Sequence, residues 1–325
     1  MGKFKVVITD YTYEDLLIER KVLAARPDIE ILDYQYRDEA DVMKITQDCD
    51  VLVCQYAQIT RRVIENLKNC KMIIRYAIGV DNIDQEAASQ RGIPVVNVPD
   101  YGIDEVSTHA VTLILAALRK LPQTLRDVRQ RQWNYAHIKP LYRTKGSTLG
   151  LVGLGRIPCD VARKMSGFGM RILAYDPYAP AERAKELGVE LVDLDRLLAE
   201  SDVVSIHCPL TPETHHMFNL ETMKKMKPTA FLVNTARGGI VCGADLAEAC
   251  AQNILAGAAI DVTEVEPIPQ DDPLLELDNV MVTPHIAWYT EDSIVSLKEK
   301  LATEILRVYD GQEPVNIVNR AFLKR

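Results

Sequence analysis

Apolar residues along the chain recur in short blocks separated by stretches of helical period, and the alternation runs through most of its length. In the first hundred residues "FKVVIT", "DVLVCQ", "KMIIRYA" and "IPVVNVP" are nearly unbroken apolar runs, as expected of strands buried on both faces. Between them "YEDLLIERKVLAA", "RRVIENLKN" and "NIDQEAASQRG" read as amphipathic helices, the last closed by Gly92. Short buried strands alternating with helices predict a parallel sheet joined by crossovers.

Residues 103–121, "IDEVSTHAVTLILAALRKL", form a long predicted helix with an almost continuous apolar centre. It is too short and too charged at its ends to span a membrane, which leaves a helix buried on most sides, between domains or at a subunit interface. Pro122 ends or kinks it, and "PQTLRDVRQRQWN" follows as a charged, exposed helix. A second alternating series starts at "STLGLVGLG" and continues through "MRILAYD", "DVVSIHC", "TAFLVNT", "LAGAAID" and "NVMVTP". The last helix covers 291–309, and the tail "GQEPVNIVN" is expected to return to the first domain.

Composition narrows this picture. A chain of 325 residues, 47% of them hydrophobic, has material for about two domains with separate cores. The net charge of −8 argues against a nucleic-acid partner, which would call for a basic face. "MGKFKVVITD" lacks the apolar stretch of a signal peptide, and no run is long enough to cross a membrane, so a cytoplasmic protein without a membrane partner is expected. None of the seven cysteines falls in a C-x-x-C pair; all are read as small buried hydrophobes of a reducing compartment.

Chemistry enters at "LGLVGLGRIPCDVA", residues 149–162. Gly153 and Gly155 follow a strand and open a helix, and the next strand ends in Asp176, about 20 residues further on. That is the context of a dinucleotide fingerprint: glycines for the tight turn and close pyrophosphate approach, a carboxylate for the ribose hydroxyls. The third glycine is replaced by Pro158. This position serves helix packing, and proline is tolerated in a first helical turn, so altered affinity is expected and not loss. Asp176 would repel a 2′-phosphate and "DPYAP" has no arginine, which favours NAD (NADH) over NADP.

Three later strands are each followed by polar residues: Arg237 in "VNTARGGIV", Asp261 and Glu266 in "AIDVTEVEP", and His285 in "VMVTPHIAWYT". Each alone has a bland reading, as an ion-pairing arginine, a solvated loop glutamate or a structural histidine. Placed at successive strand ends of a parallel sheet they converge on the ligand crevice. His207 and the His215–His216 pair lack a ligand set, and no metal is expected.

With "GVDNID", "GLGRI", "YDPY", "NTARGG", "DVTEVEP" and "TPHIAWYT" in hand, the chain resembles the D-isomer-specific 2-hydroxyacid dehydrogenases nearly end to end. "PHIAWYT" and "IIRYAIGVDNID" are most similar to the C-terminal-binding-protein-like branch, with Trp288 and Arg75 at its tryptophan and arginine positions. The resemblance implies an α/β fold of two doubly wound parallel-sheet domains with a cleft between them. Residues 1–100 plus 291–325 would form a flavodoxin-like substrate domain and 101–290 a Rossmann NAD-binding domain. It implies an NAD-dependent oxidoreductase that reduces a small 2-oxo acid to a D-2-hydroxy acid. Arg237 would hold the substrate carboxylate, His285 would donate the proton, and Glu266 would orient the imidazole. Arg75, Ile78, Gly79 and Trp288 would line the substrate. Gly153, Gly155, Arg156, Ile157, Asp176, Pro209, Thr214, Thr235 and Asp261 would bind the cofactor, Asp261 beside the carboxamide. Trp288 and Arg75 suggest an acid longer or more polar than glyoxylate. The expected assembly is a homodimer around the long helix. A competing expectation is an NAD(H)-gated oligomeric scaffold that binds partner peptides; retention of Arg237, Glu266 and His285 favours the enzyme.

Overall fold

A computed structural model describes residues 2–323, in two compact units: one formed by residues up to Gly102 together with those from Thr290 on, the other by Ile103–Tyr289. The first holds β1 (Phe4–Ile8), β2 (Ile29–Asp33), β3 (Val51–Cys54), β4 (Met72–Arg75) and β5 (Val95–Val96), all parallel, in the order β2-β1-β3-β4-β5. β3 and β4 are covered on both faces, and Leu52, Ile73 and Val95 pack with Val42 and Ile64 of the crossover helices. β2 and the helix Glu39–Thr46 are absent from the sequence reading. β2 is an edge strand, half-exposed along "IEILD", so its apolar signal is diluted by solvent-facing charge.

The helix Glu291–Tyr309 belongs to this unit and starts at a capping box, in which Ser293 N donates to Thr290 Oγ1 and Thr290 N to Ser293 Oγ, both at 2.9 Å. It packs on the helix Leu17–Leu23. There the buried Lys298 donates to Asp15 O at 2.5 Å and lies 3.8 Å from the buried Glu19, which accepts from Tyr76 Oη at 2.8 Å. The tail then extends the sheet: Val318 N donates to Val95 O at 2.8 Å, and Ile317 bridges Val96 antiparallel. This covers the open edge of the two-residue β5.

The second unit holds β6 (Thr148–Val152), β7 (Arg171–Tyr175), β8 (Glu190–Leu191), β9 (Val203–Ile206), β10 (Phe231–Asn234), β11 (Gly257–Ile260) and β12 (Val280–Val282). Their order is β12-β11-β10-β9-β6-β7-β8, all parallel, so the winding reverses between β6 and β9. A reversal of this kind opens a crevice at the carboxyl ends of the two strands. The long helix is Ile103–Leu118, and its face of Ala110, Leu113, Ile114 and Ala117 joins the core under β6 and β10.

Two expectations are corrected. Pro122 does not end the long helix: Lys120, in the left-handed region at φ 48°, breaks the chain direction, and Pro122 sits in the first turn of the next helix, Leu121–Arg129. A missing N–H costs nothing there. The cysteines are not uniformly buried either; Cys70, Cys208 and Cys242 are partly exposed, each in a segment outside the strands and helices. All seven are free. Among the described residues no helix is long and apolar enough to cross a membrane.

Candidate active site

The crevice between β6 and β9 is lined by the glycine turn. Gly153 has φ +100°, and a Cβ there would stand 3.1 Å from the backbone of His207 and Cys208, so the close approach of the two strand ends requires glycine. Gly155 caps the helix Arg156–Ser166 without a side chain, and nothing lies within 4 Å of where its Cβ would be. The first turn of that helix therefore presents its N–H groups to open space, the arrangement that binds a pyrophosphate. Pro158 is the third helical residue and is buried, while the first intrahelical bond runs from Cys159 N to Gly155 O at 3.1 Å. The proline ring replaces an N–H that had no helical partner, and its own contacts are packing contacts.

Asp176 follows β7 with both carboxylate oxygens oriented by backbone: Leu154 N donates to Oδ2 and Tyr178 N to Oδ1, each at 2.8 Å. Each oxygen keeps a lone pair for another donor. Arg183, missed in the sequence because it lies beyond "DPYAP", donates to Leu154 O at 3.2 Å and so stands beside the fingerprint turn. After β10, Thr235 Oγ1 is buried with no hydrogen-bond partner among the described residues. A buried hydroxyl without a partner is costly unless a ligand supplies one. Thr214 Oγ1 donates to Pro209 O at 2.7 Å and accepts from Thr211 N at 2.8 Å, fixing the loop after β9. Arg156 is exposed and Ile157 half-buried at the start of the helix. An open helix N-terminus, an oriented carboxylate and an orphaned hydroxyl together fit a dinucleotide.

Arg237, Glu266 and His285 lie on the loops after β10, β11 and β12. The first turn is shaped by the buried Asn234, whose amide donates to Arg237 O at 2.9 Å and accepts from Ala236 N at 3.0 Å. Arg237 Nη1 donates to Ala236 O at 2.7 Å. Gly238 presses against the next loop so tightly that a Cβ would stand 1.9 Å from Thr263 O. In that loop Glu266 Oε1 accepts from Thr263 N at 3.2 Å, and Oε2 lies 2.6 Å from His285 Nδ1. Burial raises the Glu266 carboxyl, but the His285 hydrogen bond and charge, the Thr263 N–H and the Arg237 charge outweigh it, leaving the carboxyl below its ordinary range.

His285 itself has φ 54°, a left-handed conformation uncommon for its residue type. Asp261, 1% exposed, holds it there. Its backbone oxygen accepts from His285 N at 2.8 Å; its carboxylate accepts from Thr283 Oγ1 at 2.5 Å, Ile286 N at 3.0 Å and Ala287 N at 2.9 Å. His109 Nε2 lies 3.1 Å from Thr283 Oγ1, so the long helix braces the same turn. Trp288 Nε1 donates to His285 O at 3.0 Å. The sequence reading singled out Asp261 but not its bracing of this turn; Asn234 and His109 it missed altogether.

In the first unit, Arg75 ends β4 and donates from Nε to Gln55 O and from Nη1 to Gly79 O, both at 2.9 Å. It clamps the loop that carries Ile78 and Gly79, and Asn97 Nδ2 donates to Ile78 O at 2.5 Å. Asp10, buried at the β1/β3 switch point, accepts from the N–H groups of Gln55, Tyr56 and Ala57 and pairs with Arg37 at 3.2 Å.

A family model described as D-isomer specific 2-hydroxyacid dehydrogenase, NAD binding domain, matches residues 111–287. The chain is 41% identical over 298 residues to a glyoxylate reductase of Korarchaeum cryptofilum, covering 89% of this chain and 90% of that one. It is 39% identical over 317 residues to a D-3-phosphoglycerate dehydrogenase of Methanocaldococcus jannaschii, covering 97% of this chain but 59% of that protein. Among solved structures it is similar to D-lactate dehydrogenase from Aquifex aeolicus complexed with NAD and lactic acid: TM-score 0.85, 30% identity, 94% and 96% coverage. It is also similar to an acyclic imino acid reductase in complex with NADPH and D-Arg: TM-score 0.86, 26% identity, 97% and 99% coverage.

Proposed function

Since the chain belongs to the D-isomer-specific 2-hydroxyacid dehydrogenase family, we propose that it reduces a small 2-oxo acid to the D-2-hydroxy acid with NADH. The observation that carries this reading is the 2.6 Å pairing of His285 Nδ1 with Glu266, on the loops of the two strands next to the Arg237 turn on one side of it. When bound, the nicotinamide supplies the hydride. Arg237 offers the substrate carboxylate a planar fork of donors. Pairing through Nδ1 leaves Nε2 of His285 to give a proton to the ketone oxygen as it gains charge. Glu266, held ionised, fixes the ring's orientation and compensates its charge.

For the cofactor, Gly153 and Gly155 admit the pyrophosphate, with Arg156 and Ile157 in the same turn. Asp176 receives the ribose hydroxyls, and Pro209, Thr214 and Thr235 border the dinucleotide along β9 and β10. Asp261 serves the nicotinamide end through the His285 turn that it braces. The carboxylate of Asp176 is the ground for preferring NADH over NADPH; Arg183 beside the same turn works against it and limits the margin.

On the substrate side, the backbone of Ile78 and Gly79 takes part in carboxylate binding, and Trp288 borders the reacting centre. Arg75 donates to two carbonyls of its own unit, which removes the reason to expect a second acidic group on the substrate. Glyoxylate and pyruvate therefore head the panel, ahead of longer acids, and the glyoxylate reductase and D-lactate dehydrogenase relatives point the same way. Seven free cysteines suit a reducing cytoplasm. The exposed Leu121, Leu125 and Val128 give a homodimer an apolar face. The scaffold reading rests on the tryptophan and arginine likeness alone, and a pure scaffold has no use for the paired His285 and Glu266. The test is NADH oxidation over the panel with wild type and His285→Ala: turnover that the variant retains would overturn the assignment of His285.

A further inference from the structure

The second unit carries a second cluster of chemistry-bearing groups that the proposed reaction does not use. His216, Cys242 and Glu264 come from the loops after β9, β10 and β11, and one ligand atom of each lies within 4.8 Å of the other two. Local pairing builds the cluster. His216 N donates to Gly239 O at 2.9 Å, Phe218 N to Ile240 O at 3.0 Å and Cys242 N to Phe218 O at 3.0 Å, a short parallel ladder that sets the imidazole beside the thiol. Glu264 reaches the pair from the third loop: Oε2 accepts from Gly243 N at 2.6 Å, and Oε1 lies 2.5 Å from His216 Nε2. His215 stacks on His216 with ring centroids 4.0 Å apart and limits its rotation. The histidine pair shows no companions in the sequence because they arrive on two later loops.

We propose that His216, Cys242 and Glu264 bind one divalent cation of the zinc type. An imidazole nitrogen, a thiolate and a carboxylate oxygen are the three donor kinds that zinc takes, and a thiolate selects against magnesium and calcium. A tetrahedral ion with bonds of about 2.0–2.3 Å keeps its ligand atoms roughly 3–4 Å apart. To reach that span the His216–Glu264 contact opens slightly and the Cys242 thiol, within 4.8 Å of both partners, closes on the ion. Thiolate and carboxylate together balance the dication, and water completes the fourth position. Glu264 is two residues before Glu266 on the same loop, so the ion fixes the loop that holds His285.

The test is titration of the full chain with cobalt(II), a spectroscopic stand-in for zinc. The expected result is saturation at one ion per chain, with a thiolate-to-cobalt charge-transfer band that zinc abolishes by displacement. Cys242→Ser loses the band, His216→Ala weakens binding at least tenfold, and Cys70→Ser changes neither. Circular dichroism of the metal-free variants checks their folding. A measurement on wild type alone stands behind these: zinc should slow alkylation of Cys242 at least tenfold and leave Cys70 unaffected, as read by mass spectrometry. No charge-transfer band in wild type, a band that survives Cys242→Ser, or alkylation of Cys242 indifferent to zinc would each overturn the proposal.

Discussion

At the scale of single residues the site stores strain where it needs geometry. A left-handed non-glycine residue costs of order 1–3 kcal/mol and persists only where its surroundings over-determine it. For His285 those surroundings are Asp261, which receives four hydrogen bonds from the turn between Thr283 and Ala287. His285→Ala should lower kcat by about 10²–10⁴, the usual share of a general acid, while NADH affinity stays within a factor of a few. Stopped-flow binding and steady-state rates separate the two. Glu266 makes a prediction with a sign. Its carboxyl lies below the ordinary range in the folded chain, so the unfolded chain takes up its proton first as pH falls. The stabilisation is present at neutral pH and disappears as pH drops through the depressed value. Thermal melts of wild type and Glu266→Gln should differ at pH 7 and converge in acid. The gap should be small, since both side chains are more than a third exposed and solvent screens the pair. A gap that widened in acid would mean that burial of the carboxyl prevails.

At the scale of elements, two glycines separate folding from function. A Cβ at position 238 would overlap Thr263 O, and neither backbone can yield without parting the Arg237 turn from the Glu266 loop. Gly238→Ala should therefore lose about 1–3 kcal/mol of stability and most of the activity together. At Gly155 the space is open and φ is −77°, ordinary for any residue. Gly155→Ala should melt as wild type does yet bind NADH at least tenfold more weakly, because its methyl occupies the pyrophosphate approach. Calorimetric melts and fluorescence titration of NADH distinguish these outcomes. The same contrast explains what could be read from the chain. The buried strands of both sheets are legible as apolar runs, and Gly153, Asp176, Arg237, Glu266 and His285 are legible because each follows such a run. β2 and β8 are not, being edge strands whose apolar residues are interrupted by solvent-facing charge. Arg183 and the His216–Glu264 pairing depend on which loops come together, a property that periodicity does not carry.

At the scale of the whole molecule, the chain leaves its first unit at Gly102 and re-enters it at Thr290, so that sheet is completed only by the last segment. Asn319 is where the return is locked. Its buried amide accepts from Val95 N at 2.8 Å and donates to Ile93 O at 3.1 Å and Ser89 Oγ at 3.0 Å. These satisfy the Val95 N–H of β5 and the Ile93 carbonyl just before it. Leaving a buried donor or acceptor unsatisfied costs about 1–3 kcal/mol. Asn319→Ala strands at least two such groups, so a loss of about 2–4 kcal/mol is expected. That loss falls on a unit with its own core, whereas the dinucleotide turn belongs to the other. NADH at a hundred times its Kd adds about 2.7 kcal/mol to whichever unit binds it. Differential scanning calorimetry should then show two movements of opposite sign on different parts of the melt. Asn319→Ala lowers the transition of the discontinuous unit, and NADH raises that of the unit with the glycine turn. If both perturbations moved one common transition, the two cores would melt as a single cooperative body, and the return of the tail would stabilise the nucleotide site as much as its own sheet.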